Sequence, residues 1–243
     1  MPTETAALVG ATGGAGSTRL SVEVAATLSR DDRDVAVFDA AFATQGLAHY
    51  VDDRVEPDVT TLVTDEDTAL DDALVEIDTP QSGRVAVCPA RAAFAALARA
   101  KTAGAAERFG DVIDAAAETF DHVLVDAPPV STNPAVAAVT DVNNVGVVIP
   151  ASHRGVDSLQ RLRGRLADVG TDADLVVSNR GRDPVGEADI AVPESEVVRA
   201  ENAPACADPD HEFGPAVADV AEELFEVMLH LDFPEESMLS DVL

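Results

Sequence analysis

The sequence predicts an α/β fold: a doubly wound, mostly parallel central sheet with helices on both faces. Short β-rich apolar runs recur along the chain with helical segments between them. The runs are continuously apolar rather than alternating, so both faces of each strand are covered. A glycine-rich turn, VGATGGAGSTRL at 9–20, joins the first run to the first helix. A length of 243 residues, 47% of them hydrophobic, suits one sizeable domain over 1–232, with 233–243 left as an acidic tail.

Taken in order, the first strand is AALVG at 6–10, and it runs straight into the glycine turn. A helix is predicted over 18–30, where LSVEVAATLSR has a period near 3.6. DVAVFD at 34–39 is the second strand, and the acidic stretch 52–72 reads as a surface excursion with a short helix. RVAVCP at 84–89 is followed by helices over 92–103 and 108–120. HVLVDAP at 122–128, NVGVVIP at 144–150, DLVVSN at 174–179 and a weak DIAVP at 189–193 complete the strands. Helices over 133–140 and 155–168 lie between them. The last helix is expected over 213–231, with Val217, Val220, Leu224, Val227 and Leu231 forming a stripe that packs on the sheet.

Charge narrows the functions. Forty-five acidic residues against fifteen arginines and one lysine, Lys101, give a net charge of −29. A carboxylate-covered, lysine-poor surface of this kind stays hydrated in concentrated salt, the mark of a halophilic protein. It also disfavours nucleic acid and anionic lipid, so protein partners are expected. The N-terminus has no signal-peptide pattern and no apolar stretch is long enough to span a bilayer, so the chain is expected to be cytoplasmic. Cys88 and Cys206 have no metal-ligand spacing and are expected to be buried, inert thiols. His122 and His153 are expected to be structural. Arg154, Arg161, Arg163 and Arg165 form a basic cluster, for which pairing with nearby carboxylates is expected.

In sheets of this kind ligands bind beyond the carboxyl ends of the strands. There Gly10, Gly13, Gly14 and Gly16 lie between a strand and a helix, where backbone N–H groups and the helix start favour an anion. Such a turn also serves simply as a tight connection. It gains force from HVLVDAPP, an apolar strand ending at Asp126, where a carboxylate would hold magnesium through water.

These segments resemble the MinD/ParA family of deviant Walker A P-loop proteins from residue 5 to about 231. The resemblance implies a P-loop NTPase-like fold of MinD/ParA type. It also implies a nucleotide site formed by Gly13, Gly14, Ala15, Gly16, Ser17, Thr18, Asp39, Asp126, Asn179 and Arg180, with Thr18, Asp39 and Asp126 as magnesium ligands if nucleotide binds. In VSNR, Asn179 matches the family's adenine-reading asparagine. The family's loop, however, carries two lysines, where this chain has Thr12 and Ser17. Ala41 and Gly46, in DAAFATQGL, stand where the family has a water-orienting Asp and an Asn. The run 37–66 most resembles the TadZ/CpaE and septum-site-like branch.

The missing residues bear on the chemistry. Phosphoryl transfer depends on positioning and on charge that neutralises the phosphate oxygens. Two lost charge-assisted contacts cost about 3–6 kcal/mol, or on the order of 10² to 10⁴ in affinity. ATP and Mg are therefore expected to bind weakly if at all, and hydrolysis to be negligible. Arg19 lies two residues past the second lysine position, a turn of about 200° on a helix, and is expected to be a surface arginine rather than a substitute. Residues 201–243 hold twelve acidic residues and neither lysine nor arginine, so the tail cannot offer the basic amphipathic helix of MinD-type membrane tethers. The expected role is spatial positioning or assembly, in cell division, partition or pilus machinery, through protein contacts that include an active paralogue. Any homodimer is expected to be nucleotide-independent. The alternative is a slow Mg-ATP-dependent dimerising ATPase switch.

Overall fold

The computed structural model describes residues 4–51 and 55–233. The sequence-predicted tail therefore lies outside the described residues from 234 onward, as do 52–54 of the acidic stretch. The chain begins with β1 (Glu4–Gly10), the glycine turn and α1 (Ser17–Arg30), followed by β2 (Val35–Asp39). Two one-turn helices, α2 (Val59–Leu62) and α3 (Leu70–Ala73), lead to β3 (Val75–Ile77) and β4 (Val85–Cys88). Then come α4 (Phe94–Ala100), α5 (Ala103–Ala117), β5 (His122–Ala127) and α6 (Asn133–Thr140). Last are β6 (Asn144–Pro150), α7 (His153–Asp168), β7 (Leu175–Asn179), β8 (Ile190–Val192) and α8 (Gly214–Phe225).

The eight strands form one sheet in the order β3-β4-β2-β5-β1-β6-β7-β8, parallel throughout except for β3. This is the doubly wound sheet that the sequence predicts. β1 lies between β5 and β6, so the chain winds to one side through β2 and β4 and to the other through β6 to β8. The crevice at the carboxyl end of β1 is thus the switch point of the topology, where such sheets bind ligands.

The continuous apolar runs have a direct cause. Successive strand residues point to opposite faces, and each face has its own core. Ala7, Val9, Phe38, Val123 and Val125 pack with Phe109, Ile113 and Leu159 from α5 and α7. Ala6, Leu8, Val37 and Leu124 pack with Leu20, Val24 and Leu28 of α1 and Val217, Val220 and Leu224 of α8. Cys88 and Cys206 are buried and free, as expected.

Four expectations need correction. No strand is predicted between 72 and 84, yet β3 forms there as a three-residue antiparallel edge strand whose exposed Glu76 lies 3.8 Å from Arg84. The helices expected over 92–103 and 108–120 break instead at 101–102, where the Thr102 side chain accepts from Ala105 N and starts α5 afresh. The acidic stretch is not wholly a surface excursion, because Val59 and Leu62 are core residues and the buried Asp58 caps α2 by accepting from Thr61 N. The last helix ends at Phe225 rather than 231. Glu226 takes a left-handed φ of 50°, and the Glu222 carboxylate accepts from Leu229 N at 2.7 Å, so Val227 and Leu231 leave the helical stripe. Among the described residues no helix is long and apolar enough to cross a membrane.

Candidate nucleotide-site remnant

The turn after β1 has the backbone of an anion cradle. Gly14 and Gly16 have φ of 77° and 96°, the left-handed region that a residue with a Cβ reaches only at a cost. α1 then starts at Ser17 with no side chain capping its first N–H groups, which leaves them free for an acceptor. The cradle is fixed from three sides. Ala11 N donates to Val148 O at 2.9 Å and Ala15 N to Thr12 O at 3.2 Å. From the end of β7, Asn179 Nδ2 donates to Ala15 O at 2.9 Å, and Arg180, itself at φ 65°, donates to Gly14 O at 3.4 Å. A Cβ on Gly16 would collide with Asn179 Nδ2. The structure therefore gives Asn179 a part that the motif does not reveal: it ties the glycine loop to the far half of the sheet.

Beneath the loop lie the two carboxylates. Asp39 and Asp126 end adjacent strands and are fully buried. Asp39 Oδ1 accepts from Ala41 N at 2.8 Å and Oδ2 from Ala90 N at 3.3 Å. Asp126 has no such support. The Ser17 and Thr18 hydroxyls come close enough to pull its pKa down, but neither geometry makes a full hydrogen bond, and both carboxylate oxygens lack a partner. Burial raises the pKa of both groups, and the Asp126 charge raises Asp39 further. Thr18 is covered by the chain after β2, for a Cβ on Gly46 would lie 3.2 Å from Thr18 Oγ1.

Ser17, Thr18, Asp39 and Asp126 are thus brought together, as the sequence implies. Two orphaned carboxylate oxygens beside a threonine hydroxyl form a donor set of hard oxygens that suits magnesium. Asp39, with both oxygens on backbone N–H groups, suits it less well. For a nucleotide's phosphates the cradle fits and the charge does not, since Thr12 and Ser17 are neutral and Ala41, only 7% exposed, has no carboxylate.

Arg19 is not the surface arginine expected. Its side chain is 18% exposed, its Nε is 2.5 Å from Glu23 Oε1, and it donates to Val197 O at 2.9 Å. Glu23 is fully buried and accepts from Ala205 N and Cys206 N at 2.9 and 2.7 Å. Sequence reasoning missed Glu23, although an acid within the apolar VEVAATL of α1 was a signal. Arg19 also lines a cavity of about 310 Å³ with Gly16, Tyr50, Asn179, Arg180 and Glu194, on the flank of the loop away from α7. Lys101, the sole lysine, was also passed over. It lines a cavity of about 110 Å³ between the chain at 40–44 after β2 and that at 128–134 after β5. The expected pairing of the basic cluster holds for Arg163, which bonds Glu187, while Arg165 donates to Val130 O at 3.2 Å. Among the described residues Arg154 and Arg161 have no carboxylate partner. His122 is buried against Phe225 with both ring nitrogens unpartnered.

A central strand, a left-handed glycine turn and a buried carboxylate near the end of the neighbouring strand define a P-loop-type α/β protein. The family model described as AAA domain matches residues 3–175. This chain belongs to the family of AAA-domain proteins, and its fold is that of the MinD and ParA structures. Among solved structures it is similar to the septum site-determining protein MinD of Pyrococcus horikoshii OT3 complexed with Mg-ADP, at 20% identity and TM-score 0.75 over 91% of this chain and 95% of that one. It is likewise similar to the MinC:MinD cell division complex of Aquifex aeolicus, at 19% identity and TM-score 0.75 over 95% and 98%. A ParA family ATPase of Chlorobium tepidum TLS matches at 17% identity and TM-score 0.73 over 90% and 98%. No curated protein matches the chain in sequence.

Proposed function

We propose that this chain is a degenerate member of its family that acts in spatial positioning or assembly through protein contacts, with weak or lost ATP binding and hydrolysis. The observation that carries the reading is an anion cradle with intact backbone and no lysine: left-handed Gly14 and Gly16 beside neutral Thr12 and Ser17. The buried Ala41 adds to it, because no carboxylate is present there to orient an attacking water. One solved relative is a complex of MinD with MinC, which supports a protein as the working partner here. The partner belongs to division, partition or pilus machinery or is an active paralogue, and the acidic surface supports work in concentrated salt.

A phosphate-release assay in high KCl with magnesium tests this. Negligible turnover is expected. Turnover at the level of an active relative, abolished by Asp126→Ala, overturns it. A second reading, a slow Mg-ATP-dependent dimerising switch, is favoured by one observation: the two unpartnered oxygens of Asp126 beside Thr18. In that reading Thr18 and Asp126, with Asp39 behind them, hold magnesium and Asn179 and Arg180 flank the base.

A further inference from the structure

The glycine loop has a second concave flank, on the side of α7. A cavity of about 480 Å³ opens there, lined by Thr12 and Gly13 on one wall and by Ser152, Arg154, Ser158 and Arg161 on the other. The spacing 154, 158, 161 places these three residues on one face of α7. Their geometry is organised within the helix: Arg161 donates to Ser158 Oγ at 3.0 Å, and Ser158 Oγ donates to Arg154 O at 2.7 Å. The start of α7 is rigid. Ser152 Oγ accepts from Gly155 N at 3.2 Å, and Gly155 packs so tightly on β6 that a Cβ there would collide with Pro150 O.

Charge gives the cavity its meaning. Carboxylates outnumber cations 45 to 16 in this chain, yet neither Arg154 nor Arg161 forms an ion pair among the described residues. Asp157 also lines the cavity but bonds neither. The other two arginines of α7 are turned to neighbouring segments, Arg163 to Glu187 and Arg165 to Val130 O. Two guanidinium groups without a carboxylate partner, lining one concave space together with two serine side chains, match the tetrahedral, multiply charged oxygens of a phosphate. The volume falls in the range of small-molecule sites, roughly 300–1,000 Å³.

We propose that the cavity between Thr12–Gly13 and the Arg154–Ser158–Arg161 face of α7 binds a small phosphate-bearing ligand, held by both guanidinium groups. The site is separate from the Gly14–Thr18 side of the loop and does not depend on whether nucleotide binds there.

Calorimetry of the full chain with inorganic pyrophosphate, at constant high KCl, tests it. One saturable site is expected, weakened at least tenfold in Arg154→Gln/Arg161→Gln and unchanged in Asp126→Asn. The Nε–Hε NMR signals of Arg154 and Arg161 are expected to shift during the titration in the unaltered chain, a readout that needs no variant to fold. Absence of saturable binding overturns the proposal. So does binding that survives the double substitution, which would place the anion in the loop itself. Tighter binding of a short DNA duplex than of pyrophosphate, with the same arginine dependence, overturns it in favour of a nucleic-acid surface.

Discussion

Asp39 and Asp126 stand opposite each other in register on adjacent parallel strands, both fully buried, and no ion pair reaches either among the described residues. At neutral pH this pair opposes folding. Burial raises Asp39 to about 7 and Asp126 to about 6, from 3.8. The folded chain therefore holds protons that the unfolded chain has released, so the pair's contribution is most favourable below pH 3.8 and is lost as pH rises through about 6 to 7. His122 works in the opposite sense: burial lowers it to about 4, so its contribution is lost as pH falls from 6.5. The difference between the unaltered chain and Asp126→Asn isolates the pair. The variant is expected to be more stable by on the order of 2 kcal/mol at pH 8, with little difference at pH 4. Urea unfolding in high KCl at the two pH values measures this, and equal stability at pH 8 contradicts it.

Restoring the cradle's charge is expected to restore affinity. Thr12→Lys with Ser17→Lys should strengthen Mg-ATP binding by about 10² or more, if each charge-assisted contact contributes roughly 1.5–3 kcal/mol. Hydrolysis should remain poor until Ala41→Asp is added. Calorimetry showing micromolar binding by the unaltered chain, or no gain in the double lysine variant, sinks the reading of the loop as a relic.

Self-association is expected to ignore ATP. Thr12 has neither the length nor the charge of the lysine that the family resemblance implies at this position. Light scattering with and without Mg-ATP in high salt should give the same mass. An ATP-dependent doubling would favour the switch instead.

The loop and its tie should behave as a coupled unit. Gly16→Ala forces a Cβ into the left-handed region and against Asn179, so a loss of about 2–3 kcal/mol is expected. Asn179→Ala alone removes the bond to the buried Ala15 carbonyl, at about 1–2 kcal/mol. Together the two should cost less than their sum, because the second removes the atom that the first collides with. Strict additivity in a double-mutant cycle would show that Asn179 does not brace the loop.

Most of the sheet was legible because coverage on both faces leaves a plain mark: three or more apolar residues in a row, as in VAVF and VLV. The glycine turn was legible because only glycine holds φ values such as those of Gly14 and Gly16 cheaply. β3 was not, since a three-residue edge strand with one buried side chain has no pattern to show. Val227 and Leu231 keep helical spacing, yet the chain turns at Glu226, a choice made by the Glu222 carboxylate capturing Leu229 N. The contacts of Arg19 and the brace that Asn179 provides were missed for a shared reason. Their partners, Val197 and Ala15, lie 178 and 164 residues away in sequence, and local spacing carries no information about them.

The placement of β1 also constrains how the protein is made. Its two neighbours in the sheet are β5, from His122, and β6, ending at Pro150. A nascent chain therefore carries this largely apolar strand with nothing to pair with until β5 has been synthesised. β2 and β4 can meet well before then, so the laterally placed strands have the chance to assemble before the central one. Proteolysis of stalled nascent chains should find 4–10 cleavable until residues up to about 150 have cleared the exit tunnel, and protected soon after. For synthesis, β1 is among the last strands to be safe, although it precedes both of its neighbours in the sheet.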